Sequence, residues 1–200
     1  MISAQLEYNI TSKNPANNFV KLNFSSKNFN TRFLLNKLAY NIKYKKYDIS
    51  EAKIKFLQEQ KSKNNEQIAK LVKKLEEIKQ KYKIVRLHKD VFNKYVEIKS
   101  QIEKIHKQNQ QIDHRIFQLD KNKYYEETKL KLMYENLLKG LGFSTKKSKE
   151  NWILFEFNGN EQTFNNNLEN IATALLEKKD REIAESVEDL KNEMSVVIEK

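Results

Sequence analysis

From residue 16 to residue 139 the chain holds neither proline nor glycine, 124 residues in a row between Pro15 and Gly140. Proline breaks a helix interior and glycine weakens one by about 1 kcal/mol, so the usual stop signals are missing. Apolar residues recur every three or four positions over most of the stretch, which is the period of a helix with one apolar side. A rod of this kind has no core of its own and must hide its stripe against another helix. The expected fold class is mainly α: a long coiled-coil helix with a small C-terminal α+β module, a β-hairpin plus a helix.

The seam can be counted. Asp48 as N-cap with Glu51 three residues later forms a capping box, which divides the chain into regions 1–47, 48–139 and 140–200. Ile54, Leu57, Ile68, Leu71, Leu75, Ile78, Tyr82, Val85 and Phe92 fill nine of twelve a/d positions. After a one-residue slip between about Tyr82 and Tyr95, a second block follows. There Tyr95, Ile98, Ile102, Ile105, Ile112, Ile116, Leu119, Leu130, Met133 and Leu137 fill ten of thirteen. This density over more than three heptads predicts a coiled coil. Asn109 sits at an a position, where a buried amide can set register, while Lys61, Asn64, Lys123 and Glu126 read as tolerated polar interruptions. The polar candidates for a turn, around residues 61–65 and 107–111, contain neither Gly nor Pro. One continuous rod is therefore favoured over an intramolecular hairpin.

Residues 1–47 carry eight Lys/Arg against Glu7 alone. Leu6, Tyr8 and Ile10 alternate with polar residues, as do Val20, Leu22 and Phe24, which suits a short β-hairpin. A short helix with Phe33, Leu34, Leu38 and Ile42 after a Thr31 cap would follow. The same region also reads as a basic tail that orders on a partner, and its scarcity of acids is shared with mitochondrial presequences. At the other end, Leu138-Lys139-Gly140 reads as a helix stop. Trp152-Ile153-Leu154-Phe155-Glu156-Phe157 is a strand, Asn158-Gly159 a hairpin turn, and Gln162-Thr163-Phe164 the returning strand. Helical spacing then resumes through Leu168, Ile171, Leu175, Leu176, Ile183, Val187, Leu190, Met194 and Val197.

The net charge is +11, with residues 140–200 acidic and the rest basic. Such asymmetry suits a polyanionic partner, although 34 Lys against 4 Arg also fits a compositional bias of the genome. Lys37, Lys43, Lys45 and Lys46, interleaved with Tyr40, Tyr44 and Tyr47, are the candidate polyanion contacts. The absence of cysteine excludes disulfides and thiolate metal sites. His88, His106 and His114 are too widely spaced for a compact metal pair, and the three glycines form no phosphate-binding loop. No catalytic, cofactor or metal site is expected, and no small-molecule substrate. No apolar run of 18 residues exists, so no membrane partner is expected either. The location expected is intracellular, with nucleus, chromosome, cytoskeleton or an organelle all open.

Leu137-Leu138-Lys139-Gly140-Leu141-Gly142-Phe143, a polar turn and Ile153-Leu154-Phe155-Glu156-Phe157-Asn158 together resemble the small coiled-coil subunits of the outer-kinetochore microtubule-attachment complex. The resemblance implies a heterodimeric rod ending in a small α/β head that docks onto adaptor proteins. It places Leu141, Gly142, Phe155 and Phe157 in the head core, and Trp152 is expected in that core as well. The function expected is that of a non-enzymatic structural subunit. It would pair with another coiled-coil chain, a different one in preference to a second copy, and dock a multiprotein assembly. The competing expectations are a basic coiled-coil protein that binds nucleic acid or chromatin, and a subunit of an organellar or axonemal assembly. Microtubules or nucleic acid would be met through the basic N-terminal half.

Overall fold

A computed structural model describes residues 1–199, with side chains described through residue 195. Val197, assigned above to the C-terminal helical stripe, lies outside the described side chains. In chain order the elements are β1 (Ser3–Asn9), β2 (Phe19–Ser25), α1 (Phe29–Lys81), α2 (Lys89–Lys121), α3 (Glu127–Gly140), β3 (Phe143–Lys149), β4 (Trp152–Phe157) and α4 (Glu161–Glu199). The protein is mainly α with a small α+β part. It divides into two compact units, Met1–Ile49 with Lys123–Glu185, and Ser50–Asn122 with the chain from Ser186 onward.

The first unit is a four-stranded antiparallel sheet in the order β2-β1-β4-β3. Alternation puts Ala4, Leu6 and Tyr8 of β1 opposite Phe24, Leu22 and Val20 of β2. The same face continues across β4, where Ala4 pairs with Phe155 and Leu6 with Ile153. The N-terminal strand pair and the strand pair over residues 143–157 thus share one sheet. Leu35, Leu38 and Ala39 of α1, Leu130, Tyr134 and Leu138 of α3, and Phe164, Leu168 and Ala172 of α4 cover that face in one buried cluster.

Several expectations need correction here. The helix does not start at Asp48: α1 begins at Phe29, with the Asn28 side chain accepting from the Thr31 N–H at 3.2 Å. Asn28 is the cap, and the buried Thr31 hydroxyl instead donates to Asn165 Oδ1 at 2.6 Å. Nothing between Thr31 and Asp48 interrupts a helix, and Asp48 inside α1 finds Lys179 as an ion-pair partner. The strand over 152–157 pairs with β3 through a turn at Glu150 and Asn151, not through Asn158-Gly159. Asn160 accepts from the Thr163 N–H at 3.0 Å, so the segment expected to return as a strand opens α4 instead. Gly140 is still helical, and the turn out of α3 falls at Gly142, whose φ of +93° favours glycine. A Cβ at Gly142 would meet the Phe157 ring at 3.1 Å.

Among the expected head-core residues, Phe155 is buried, and Phe157 and Leu141 pack against the cluster half-buried. Trp152 is on the opposite face, because strand side chains alternate. It is half-buried there, with the ammonium groups of Lys147 and Lys149 over its ring at 6.0 and 5.6 Å. Leu130, Met133 and Leu137 are not coiled-coil contacts: Leu130 and Leu137 pack in the sheet's core, and Met133 lines a cleft of about 400 Å³ with Leu38 and Leu176. The physical reason is the break after Lys121, which puts these residues on α3.

Tyr134, 4% exposed, has its phenol pushed up from 10.0 to about 12, by burial first and then by Glu127 and Tyr44. The folded state holds this proton more tightly than the unfolded chain does. The stability it contributes is therefore complete below pH 10.0 and is lost as pH rises toward about 12. At roughly 1.4 kcal/mol per unit the loss approaches about 2–3 kcal/mol. Urea melts at stepped alkaline pH should show this component in the parent chain and lack it in Tyr134→Phe.

The second unit is an antiparallel helical hairpin, which corrects the expectation of one continuous rod. The chain reverses over residues 82–88, between Lys81 and Lys89, where the register slip lies, and not at 61–65 or 107–111. No glycine is needed there: Ile84 and His88 are extended, and a single 3-10 turn (Val85–Leu87) lies between them. Ile84 and Val85 are β-branched, which lowers helix propensity at this point. Leu71, Leu75, Ile98 and Ile105 form one buried cluster with Ile68, Ile78, Tyr95 and Ile102 around it. Leu57, Ile112 and Leu190 form a second, flanked by Ile116, Leu119 and Met194, and Ile54 is buried nearby in sequence. The seam assigned to a partner chain is filled by the protein's own α2.

Asn109 is buried, as its a position implies, and Asn64, read as an interruption, is its partner. Asn64 Nδ2 donates to Asn109 Oδ1 at 2.9 Å, and Asn109 Nδ2 donates to Asn65 Oδ1 at 3.0 Å. Lys61 pairs with Asp113 at 2.7 Å one turn away. These polar contacts all form within one chain.

Candidate nucleic-acid interface

The basic, aromatic start of α1 acquires neighbours that lie far away in sequence. Tyr40, Tyr44 and Tyr47 recur at helical spacing, so they share one side of α1. Tyr40 and Tyr44 have ring centroids 4.4 Å apart at 40°, and Tyr44 and Tyr47 meet edge-on at 6.3 Å. Tyr124, from the segment between α2 and α3, stacks on Tyr47 at 5.5 Å and 24°. The two ends of the row are open, with Tyr40 61% and Tyr124 53% exposed.

Lysines sit among the rings. The Lys43 ammonium is 5.6 Å from the Tyr44 centroid, and that of Lys123 lies over both Tyr47 and Tyr124 at 5.5 and 5.8 Å. Lys46 and Lys129 lie over Tyr125 at 5.7 and 5.5 Å, and Lys46 Nζ also donates to the Tyr124 carbonyl at 3.3 Å. Burial raises the Tyr125 phenol above its ordinary range, opposed by Lys45 and reinforced by Glu182. The result is a ridge of aromatic faces with ammonium groups alongside.

Of the four lysines expected to touch a polyanion, Lys43 and Lys46 join this ridge. Lys45 pairs instead with Glu182, which offsets its charge. Lys37 is exposed one turn before Tyr40. Lys123, Tyr124, Tyr125 and Lys129 were not among the expected contacts, because the continuous-rod expectation carried them inside a helix. Two adjacent seam failures, at Lys123 and Glu126, flank the Tyr124-Tyr125 pair and were the available signal.

Among the described residues no cluster of three His, Asp or Glu converges as a metal site would, and no described helix is long and apolar enough to cross a membrane. Comparison with known proteins finds no matching family model, no matching curated protein and no matching solved structure.

Proposed function

We propose that this protein is a non-catalytic nucleic-acid-binding protein that takes single-stranded segments along the Tyr–Lys ridge. The observation that supports this is the row Tyr40, Tyr44, Tyr47 and Tyr124 flanked by Lys43, Lys46 and Lys123. Aromatic faces reward bases that are free to unstack, which a duplex does not offer, and ammonium groups follow the phosphates. A purely electrostatic patch would need no rings.

Anisotropy titrations with short labelled single-stranded oligonucleotides test it. Affinity should fall steeply with salt, and replacing Lys43, Lys46 and Lys123 by Gln should flatten the slope by roughly 2, at about 0.7 per phosphate contact. Tyr44→Ala should weaken binding about tenfold or more through lost stacking. No binding at low salt, or equal affinity for duplex and single strand, would count against the proposal.

A second proposal is a structural subunit that docks a multiprotein assembly, of which a kinetochore-type subunit is the sharpest form. Exposed apolar residues on the hairpin helices support it, among them Val72, Val96 and Phe117. A hairpin that fills its own seam does not require another coil, so any partner would sit on these outer positions. Sedimentation of the chain alone and recovery of a stoichiometric partner from cells would separate the two proposals.

A further inference from the structure

The end of the helical hairpin carries a different surface from the ridge. Where α1 gives way to α2, Leu87 is 72% and Ile84 51% exposed, and Phe92 just beyond is 40% exposed. The geometry that shows them is ordered. The Leu87 N–H donates to the Ile84 carbonyl at 3.3 Å and the His88 N–H to Val85 at 3.1 Å. Ile84 is the extended residue that enters the 3-10 turn and Leu87 the last residue of it, so both exposed side chains stand at the same reversal of the chain. Tyr82 and His88 brace the base of the turn, with ring centroids 4.8 Å apart.

In sequence, the apolar pair lies among Lys79, Lys81, Lys83, Arg86, Lys89 and Lys94, against Asp90 alone in residues 79–94, while Glu77 and Glu97 line a cleft with Lys81 and Lys94. Exposed apolar side chains inside a basic collar suit a surface that is anionic outside and apolar just beneath. A phosphate backbone matches the collar but leaves Ile84 and Leu87 in water. An anionic bilayer matches both, because headgroups meet the cations and the headgroup–acyl boundary takes the apolar tips. Lysine stems on the collar can lie along the interface with their charges in water.

We infer that the hairpin end is a docking site for an anionic lipid bilayer, entered shallowly by Ile84 and Leu87. No spanning helix is required. The site is independent of the Tyr–Lys ridge and uses none of its residues.

Flotation of the full chain with vesicles tests the inference. The chain should float with phosphatidylcholine vesicles containing phosphatidylserine and stay at the bottom with phosphatidylcholine alone. Ile84→Asp/Leu87→Asp should weaken vesicle binding by about tenfold or more, since apolar insertion is lost. Lys83→Ser/Arg86→Ser should do the same through lost headgroup attraction. All these side chains are exposed at the turn, so circular dichroism and melting should be unchanged; Ile84→Ser/Leu87→Ser supplies a milder pair should the aspartates perturb the turn. Tyr44→Ala should keep full vesicle binding, which assigns the contact to the hairpin end and not to the ridge. Absence of binding to anionic vesicles, or binding that survives both apolar replacements, would overturn the assignment. So would loss of oligonucleotide affinity in the hairpin-end variants of a chain that ignores vesicles, since the collar would then be a nucleic-acid contact.

Discussion

Phe155→Ala should lower the stability of the sheet-containing unit by about 3–5 kcal/mol, the range for removing a buried aromatic. Phe155 is 2% exposed and lies on β4, beside Ala4 of β1. That pairing joins the first strands of the chain to the last, so the cavity would open where the two hairpins meet. Alanine at position 4 leaves no bulk on the neighbouring strand to fill the space. Collapse of the helices into the gap is resisted because Leu35, Leu138 and Leu168 already pack into the same cluster. The chain's single tryptophan, Trp152, is on the same strand facing away from the core, so its fluorescence reports urea unfolding without being part of the cavity. Trp152→Phe should be much milder. A loss below about 1 kcal/mol for Phe155→Ala would mean that this joint does not hold the unit together.

The second large effect concerns the amide layer of the hairpin. Asn109→Ala leaves the Asn64 amide buried without its acceptor, which costs about 1–3 kcal/mol beyond the lost packing. Replacing both Asn64 and Asn109 by Leu should behave differently. Two apolar groups of similar shape can be neutral or stabilising where one orphaned amide is not. What the double variant loses is register, since its neighbours along the seam are nearly uniform in Ile and Leu and a slipped pairing would pack almost as well. Spin labels attached to cysteines introduced at Lys61 and Asp113, which form an ion pair in the parent, read register directly. The distance distribution should be narrow in the parent and broad in the double leucine variant. A narrow distribution in both, with equal melting temperatures, would show that the amides do not set register.

Much of this architecture could be read from the residues. The missing Gly and Pro, together with the apolar period, predicted long helices. The alternation of Leu6, Tyr8, Val20, Leu22 and Phe24 predicted strands that are present. Asn109 was singled out from its heptad position alone as an amide in the seam, and it is buried there. The four basic residues beside Tyr40 and Tyr44 were singled out as candidate contacts, and two of them stand on the ridge.

What could not be read was which surface covers which. A heptad stripe encodes that a face is buried and says nothing about whether the covering helix belongs to the same chain, so the seam at Leu71 and Leu75 fits a partner as well as α2. The reversal at residues 82–88 was hidden because an extended residue on either side of one 3-10 turn needs no glycine; its trace was the slipped register. Likewise, β1 and β4 are strand-like alone, but their pairing joins residues as distant in sequence as Ala4 and Phe155, and no local preference carries that information. The Tyr–Lys ridge is of the same kind. Local periodicity set out Tyr40, Tyr44 and Tyr47, whereas the approach of Tyr124 and Lys123 follows from α2 returning, and only long-range packing could decide it.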